Sequence, residues 1–117
     1  MSNYKLYKEN FQQSDKTENI QKLVRQASRW SLAATQDESP IIALLHANYG
    51  AGYLWALKDI ATDTEIINAT DIQDIKSFEK KIVDVQDYAT KQVSKMCPEF
   101  KSNLDEELLR LSGDVDV

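Results

Sequence analysis

Cysteine, glycine and proline are scarce in this sequence, with one, three and two residues respectively among 117. Because Cys97 is the only cysteine and His46 the only histidine, one chain forms neither an intrachain disulfide nor a cysteine–histidine zinc cluster. We therefore expect no metal or other cofactor, and a reducing, intracellular setting. Because glycine and proline, which interrupt secondary structure, are few, we expect a small number of long secondary-structure elements. This predicts helices rather than many short strands.

Long apolar runs are also missing, except in one segment. Residues 1–16 contain lysines but no apolar core, so they do not form a secretory signal. The run 40–57 lacks Asp, Glu, Lys and Arg, and its 18 residues reach only the lower end of the membrane-spanning range. His46, Asn48, two tyrosines and two glycines dilute its apolarity, and the mean hydropathy of the chain is −0.50. We expect a cytoplasmic protein without a membrane span.

The net charge of −5 is unevenly distributed along the chain. Residues 1–35 hold six bases against three acids, whereas residues 36–75 hold one base against seven acids. An acidic body repels phosphate backbones, which disfavours nucleic acid as the main ligand. The basic N-terminal third, with Arg25, Arg29 and Trp30, keeps a nucleic-acid accessory role as a lesser alternative.

The size of the chain is that of a single domain, and its apolar periodicity is helical. Three main helices and a short C-terminal helix are predicted, at about 15–35, 40–61, 71–96 and 103–111. Ser39 provides an N-cap for the second helix, and Pro40 suits its first position. The predicted fold is a small, all-α, up-down bundle spanning residues 1–117.

The remaining segments are connectors and ends. The segment 62–70 is expected to be a tight connector with one helical turn, since Thr62 with Glu65 has capping-box spacing, as does Thr70 with Gln73. Residues 1–13 either form a short docked helix through Tyr4, Tyr7 and Phe11 or are mobile, and 114–117 are expected to be frayed. The third main helix carries a heptad seam of Ile75, Phe78, Ile82, Val85, Ala89 and Met96, with Gln92 at the missing position.

A helical wheel separates the second helix into three surfaces. A broad apolar arc, expected to face the core, holds Ile42, Leu45, Tyr49, Tyr53, Ala56, Leu57 and Ile60. Beside it lies a strip of small residues, Ala43, Ala47 and Ala51 with Gly50, which would let another helix approach closely. Because two glycines weaken a helix, close packing at Gly50 and Gly52 is the favoured explanation, and a ligand near the backbone is the alternative.

His46 is the one side chain whose ordinary pKa lies near neutrality. The first interpretation is a boundary histidine hydrogen-bonded to a tyrosine or a carbonyl. The alternative is a small-molecule pocket, or a minor enzyme site, lined by His46, Tyr49, Tyr53 and Trp55. No catalytic residue is assigned, because no spacing in the sequence places a nucleophile beside His46.

Aromatic residues on the first two helices suggest an interface. Trp55 lies on the side of the second helix that one neighbouring hairpin would leave open, and either the first helix or another subunit covers it. The predicted interface consists of Ile41, Leu44, Asn48, Trp55 and Trp30. The favoured hypothesis is therefore a helical assembly protein that forms a homodimer, or binds another protein, through its first two helices.

Overall fold

The computed structural model describes residues 2–96 and 106–113, with side-chain positions for 15–96, 107, 108 and 110–113. All regular structure among these residues is helical, which confirms the predicted all-α class. The helices are α1 (Ser2–Gln36), α2 (Pro40–Ile60), α3 (Asp63–Ala69), α4 (Ile75–Met96) and α5 (Glu106–Leu111). Cys97, Pro98 and the ends 103–105 and 114–117, on which some predictions fell, lie outside the described residues.

Helix α1 begins well before its predicted start at residue 15. The apolar stripe that indicated the helix begins only at Ile20, but residues 2–14 contain neither glycine nor proline, so nothing in this segment interrupts the helix. Of the two alternatives for residues 1–13, the backbone of 2–13 adopts the helical one. The side chains of Tyr4, Tyr7 and Phe11, on which the proposed docking depended, lie outside those described.

Helix α4 begins at Ile75 rather than at the predicted residue 71. Its N-terminal cap is Asp74, whose Oδ1 accepts a hydrogen bond of 3.1 Å from the Ser77 amide. The predicted cap, Thr70, instead closes α3 by donating its hydroxyl to the Ile66 carbonyl oxygen at 2.7 Å. Asp74 was not predicted as the cap, because the spacing of Thr70 and Gln73 is that of a capping box and indicated Thr70 instead.

Helix α3 is a two-turn connector tied to α1. The predicted capping box is present, because Thr62 Oγ1 accepts from the Glu65 amide and Glu65 Oε1 accepts from the Thr62 amide. Lys16 of α1 reaches the second oxygen of Glu65 at 2.7 Å. These hydrogen bonds, first that from Lys16, lower the pKa of the Glu65 carboxyl to about 2. The connector thereby fixes the turn between α2 and α4 against the first helix.

The core lies in three layers that show how α1, α2 and α4 run. The first layer joins Ile20, Leu57, Ile66 and Ile75; the second joins Ala27, Ala51, Leu54 and Ile82; the third joins Ala34, Ala47 and Ala89. Residue numbers rise along α1 and α4 as they fall along α2. Helix α2 is therefore antiparallel to both α1 and α4, as the predicted up-down topology requires.

The α1–α2 contact is closest at Gly50. A Cβ atom placed on Gly50 would lie 2.2 Å from Ser31 Oγ, 3.0 Å from the Ser31 nitrogen and 3.1 Å from the Ala27 carbonyl oxygen. Such distances leave no room for a side chain, so the small-residue strip brings the two backbones together as expected. The hydroxyl of Ser31 is buried in this contact without a hydrogen-bond partner among the described residues.

Candidate functional site

The most unusual surface of the described residues is the side of α2 that faces away from α1 and α4. Its large side chains remain well exposed, including Ile41 at 58%, Trp55 at 51%, Tyr49 at 45% and Leu45 at 43%. We call this surface the outer face of α2, and it comprises Ile41, Ile42, Leu45, Asn48, Tyr49, Gly52, Trp55 and Ile60. An apolar surface along a whole helix commonly marks a binding surface in a water-exposed protein.

The exposure of this surface corrects the expectation that the broad apolar arc of α2 faces the core. The buried residues of α2 are instead Ala47, Gly50, Ala51, Leu54 and Leu57. Of the predicted arc, only Leu57 is fully buried, while Tyr53 and Ala56 are half-buried. Small residues at the contact let the axes of α1 and α2 approach to the lower end of the usual range of about 8–10 Å. This contact determined which side of α2 is buried.

An aromatic cluster connects α1 to the edge of the outer face. The ring of Trp30 lies 5.0 Å from the ring of His46 and 5.3 Å from that of Tyr49, the second pair edge to face. His46 and Tyr49 lie 6.2 Å apart. The structure thus brings two of the predicted ligand-binding residues together with a predicted interface residue.

His46 is held by Asp37, which lies between α1 and α2. Its Nδ1 lies 2.6 Å from Oδ2 of Asp37, and both side chains are about three-quarters buried. A carboxylate only accepts hydrogen bonds, so the imidazole donates from Nδ1. The partner is therefore a carboxylate rather than the tyrosine or carbonyl expected. Among the described residues, the ring of His46 contacts Asp37, Trp30 and Tyr49, so the geometry indicates that His46 and Asp37 hold the α1–α2 turn in place.

We expect the His46–Asp37 pair to stabilise the fold rather than to carry chemistry. His46→Ala should lower the free energy of unfolding by about 1 kcal/mol, because it removes a buried hydrogen bond. A double-mutant cycle with Asp37→Asn, measured by urea unfolding, should show coupling of at least about 0.5 kcal/mol. Additive effects of the two substitutions would contradict a direct interaction.

A groove of about 440 Å³ runs along the outer face beside Trp30. It is lined by Trp30, Asn48, Tyr49, Gly52, Tyr53 and Ala56. Of the four residues predicted to bind a ligand, Tyr49 and Tyr53 line this groove, whereas His46 lies against Trp30 and Asp37. Trp55 has a different neighbour, since the Lys58 ammonium lies 5.8 Å from its ring centre. The same ammonium lies 2.6 Å from Glu79, whose hydrogen bond raises the pKa of Lys58.

The residues predicted to form an interface fall into two groups. Ile41, Asn48 and Trp55 are exposed, so α1 leaves Trp55 open. Asn48 Oδ1 accepts a hydrogen bond of 2.9 Å from the side-chain amide of Gln86 on α4, so this residue of the outer face also contacts α4. Leu44 and Trp30 are half-buried, and Leu44 packs against the third core layer.

Gly52 differs from Gly50 in having no neighbour to explain it. Apart from its own helix backbone and its chain neighbours, no atom of the described residues lies within 4 Å of the position its Cβ would occupy, which corrects the expectation of close packing at Gly52. A glycine inside a helix costs about 0.8–1 kcal/mol relative to alanine. Packing within the described residues does not offset that cost, and Gly52 forms the floor of the groove. Its absent side chain leaves the α2 backbone accessible from outside.

Several residues of this site escaped prediction from the sequence. Ile42 and Leu45 were assigned to the core, because the spacing of apolar residues identifies a face but does not show whether another helix covers it. Asp37 was missed because nine residues separate it from His46 and no motif relates the two. The sequence did contain one signal of this surface. Helix α2 is apolar on nearly every side, and two neighbouring helices cover only part of that apolar surface.

Two further kinds of site are not found in the described part of the chain. No group of three or more histidine, cysteine, aspartate and glutamate side chains there has an arrangement that could hold a metal ion. None of the described helices combines the length and apolarity needed to cross a bilayer. No model of a known protein family matches this chain, and neither a curated protein nor a solved structure does so.

Proposed function

We propose that this protein is an assembly protein that forms a homodimer through the outer face of α2, with Trp30 of α1 at the edge of the contact. The observation that supports this proposal is the exposure of six large apolar side chains along one helix face: Ile41, Ile42, Leu45, Tyr49, Trp55 and Ile60. Covering them removes apolar surface from water, which is the main driving force for association.

The area of this surface suits a dimer contact. An aromatic side chain can bury about 150–250 Å², so a half-exposed one offers roughly 100 Å². At a similar value for the aliphatic residues, the six side chains contribute on the order of 600 Å² per copy, against the roughly 800 Å² per partner of a standard interface. Asn48, Gly52 and the rim of Trp30 add to that area.

The charge of the surface also permits two copies to meet. Each chain carries a net charge of −5, so most of its surface repels a second copy. Between Ile41 and Leu57, however, the sequence of α2 has no acid or base other than His46, and His46 is directed to Asp37 of its own chain. Contact at the outer face therefore places no like charges at its centre.

The test is sedimentation velocity with a matched pair of charge substitutions. The native protein should dimerise with a dissociation constant in the micromolar range or below. Leu45→Lys places an ammonium at the centre of the contact and should raise that constant at least about tenfold. A protein that remains monomeric throughout the micromolar range would exclude the proposal.

The control is Leu32→Lys on α1. Leu32 is 60% exposed. It follows Trp30 by two residues, which corresponds to a rotation of about 200° around the axis of α1, so the two side chains lie on different sides of the helix. This substitution should leave the dissociation constant unchanged, while circular dichroism shows the same helical content for both variants. Equal weakening by the two substitutions would mean that charge in general, and not the outer face, controls association.

A further inference from the structure

We infer that the two copies pack α2 against α2 in antiparallel orientation, crossing where Asn48 of one copy lies over Gly52 of the other. This inference rests on the proposed self-association and specifies its geometry. It starts from Gly52, whose open position is not explained by contacts within the described residues.

The residues around Gly52 permit a close approach from outside. Asn48, Gly52 and Ala56 follow one another at four-residue intervals, so they form a second small-residue strip on the opposite side of α2 from Gly50. Such a strip lets a second helix backbone come near, because no large side chain stands between the two axes. On the α1 side the strip is bordered by the rings of Trp30, Tyr49 and Tyr53, which together with it form the groove.

The order of residues along the outer face is self-complementary. The central stripe is Ile41, Leu45, Asn48, Gly52, Trp55 and Asp59, with spacings of four, three, four, three and four. These spacings average 3.6 residues, close to the 3.5 of packed helices, and they read the same in both directions. A two-fold axis at the level of Gly50 therefore brings each stripe onto its copy, as an isologous dimer requires.

The pairs created by that axis match large residues with small ones. Asn48 meets Gly52 at the crossing, and Leu45 meets Trp55 on either side, so the groove beside Gly52 receives side chains of the other copy. A parallel pair would instead oppose Trp55 to Trp55 and Gly52 to Gly52, which leaves the groove empty. Shape therefore favours the antiparallel arrangement.

The charges at the two ends agree with this orientation. Asp59 comes to lie beside Ile41 of the other copy, in the first turn of its α2. That turn contains no acidic residue of its own, and the aligned peptide dipoles make the N-terminal end of the helix partly positive. In a parallel pair the Asp59 carboxylates of the two copies would instead face each other.

Disulfide trapping between two variants distinguishes the orientations. In a Cys97→Ser background, Ile41→Cys and Asp59→Cys are prepared separately, mixed and oxidised with glutathione disulfide. The two positions lie about 27 Å apart along α2, so the antiparallel dimer brings position 41 of one variant to position 59 of the other and keeps like positions apart. Intact mass spectrometry should find the mixed covalent dimer in large excess over either homodimer.

Each other outcome has a defined meaning. Homodimers of each variant in excess would show a parallel pair and overturn the inference. A dimer seen by sedimentation that yields no cross-link above a monomeric control would overturn the crossing point but leave the proposed self-association standing. A protein that sediments as a monomer would overturn both.

A second variant tests the role of Gly52 without cysteine chemistry. Gly52→Ala places a methyl group between the crossing backbones, so the dissociation constant of the dimer should rise at least tenfold while helical content is kept. Asp59→Ala, which alters only the end of the contact, should raise it less than Gly52→Ala does. A dissociation constant unchanged by Gly52→Ala would overturn the crossing at this residue.

Discussion

Replacement of Gly50 by alanine is expected to lower the free energy of unfolding by about 2 kcal/mol, although alanine is the better helix former. The added methyl group would lie 2.2 Å from Ser31 Oγ. Rotation of that hydroxyl relieves the shortest contact, but the Ser31 nitrogen and the Ala27 carbonyl oxygen belong to the backbone of α1. The backbone of α1 must therefore shift by a few tenths of an ångström at this contact, and urea unfolding followed by circular dichroism measures the loss of stability.

The matched control is Gly52→Ala in the same helix. Open space surrounds Gly52 within the chain, so this substitution should stabilise the monomer by about 0.5–1 kcal/mol through helix propensity alone. Both variants are measured at a protein concentration below the dissociation constant of the dimer, because association would add to the stability. Stabilisation by both substitutions would contradict the close approach of α1 and α2 at Gly50.

Ser31 provides a second check on the same contact. Ser31→Ala removes the hydroxyl nearest to Gly50, which is buried and has no hydrogen-bond partner in the described part of the chain. The single substitution should therefore cost less than about 0.5 kcal/mol or stabilise the protein. Combined with Gly50→Ala, it should recover part of the lost stability. If the effects of Ser31→Ala and Gly50→Ala on the free energy of unfolding were strictly additive, only the backbone atoms of α1 would limit the contact.

Leu57→Ala is expected to have the largest effect on stability, about 3 kcal/mol. Leu57 is 1% exposed and packs in the layer that joins α2 to α1, α3 and α4 through Ile20, Ile66 and Ile75. Truncation leaves a cavity that these helices fill only in part, because α1 and α4 are also held by the other two layers. Urea unfolding of the native protein and the variant gives the difference in the free energy of unfolding, provided that both show the same dependence of that free energy on urea concentration.

Leu32→Ala makes the same chemical change at an exposed position of α1. Because Leu32 already contacts water over 60% of its surface, its truncation should cost less than about 0.5 kcal/mol. The difference between the two leucines thus isolates burial from helix propensity. A similar loss at both positions would contradict the position of Leu57 in the core.

Local signals explain how much of the fold could be predicted. Ser39 and Pro40 define the start of α2 because a capping side chain and a ring without an amide donor act within one turn. The capping box of Thr62 and Glu65 is equally local. The starts of α1 and α4 were misplaced, since a helix continues beyond its apolar stripe when no breaker intervenes, and since Asp74 competed with Thr70 as a cap.

The site was less predictable because its parts come from different segments. The ring of Trp30 lies against His46 and Tyr49 only once α1 and α2 are packed at their particular distance. The hydrogen bond from His46 to Asp37 likewise depends on the path of the turn between the helices. The strip of Ala43, Ala47 and Ala51 with Gly50, by contrast, was predicted from the spacing of its small residues to contact another helix, and Ala47, Gly50 and Ala51 are buried.

By itself, the sequence determined that this chain is helical, where its main helices lie and that one of them is apolar on nearly every side. Only the tertiary structure decided which side of that helix is covered. Periodicity reports differences between the faces of a helix, and both faces of α2 contain large apolar residues. Close contact with α1 and α4 buried Ala47, Gly50 and Ala51 together with Leu54 and Leu57. Leu45, Tyr49 and Trp55 were left exposed on the other side.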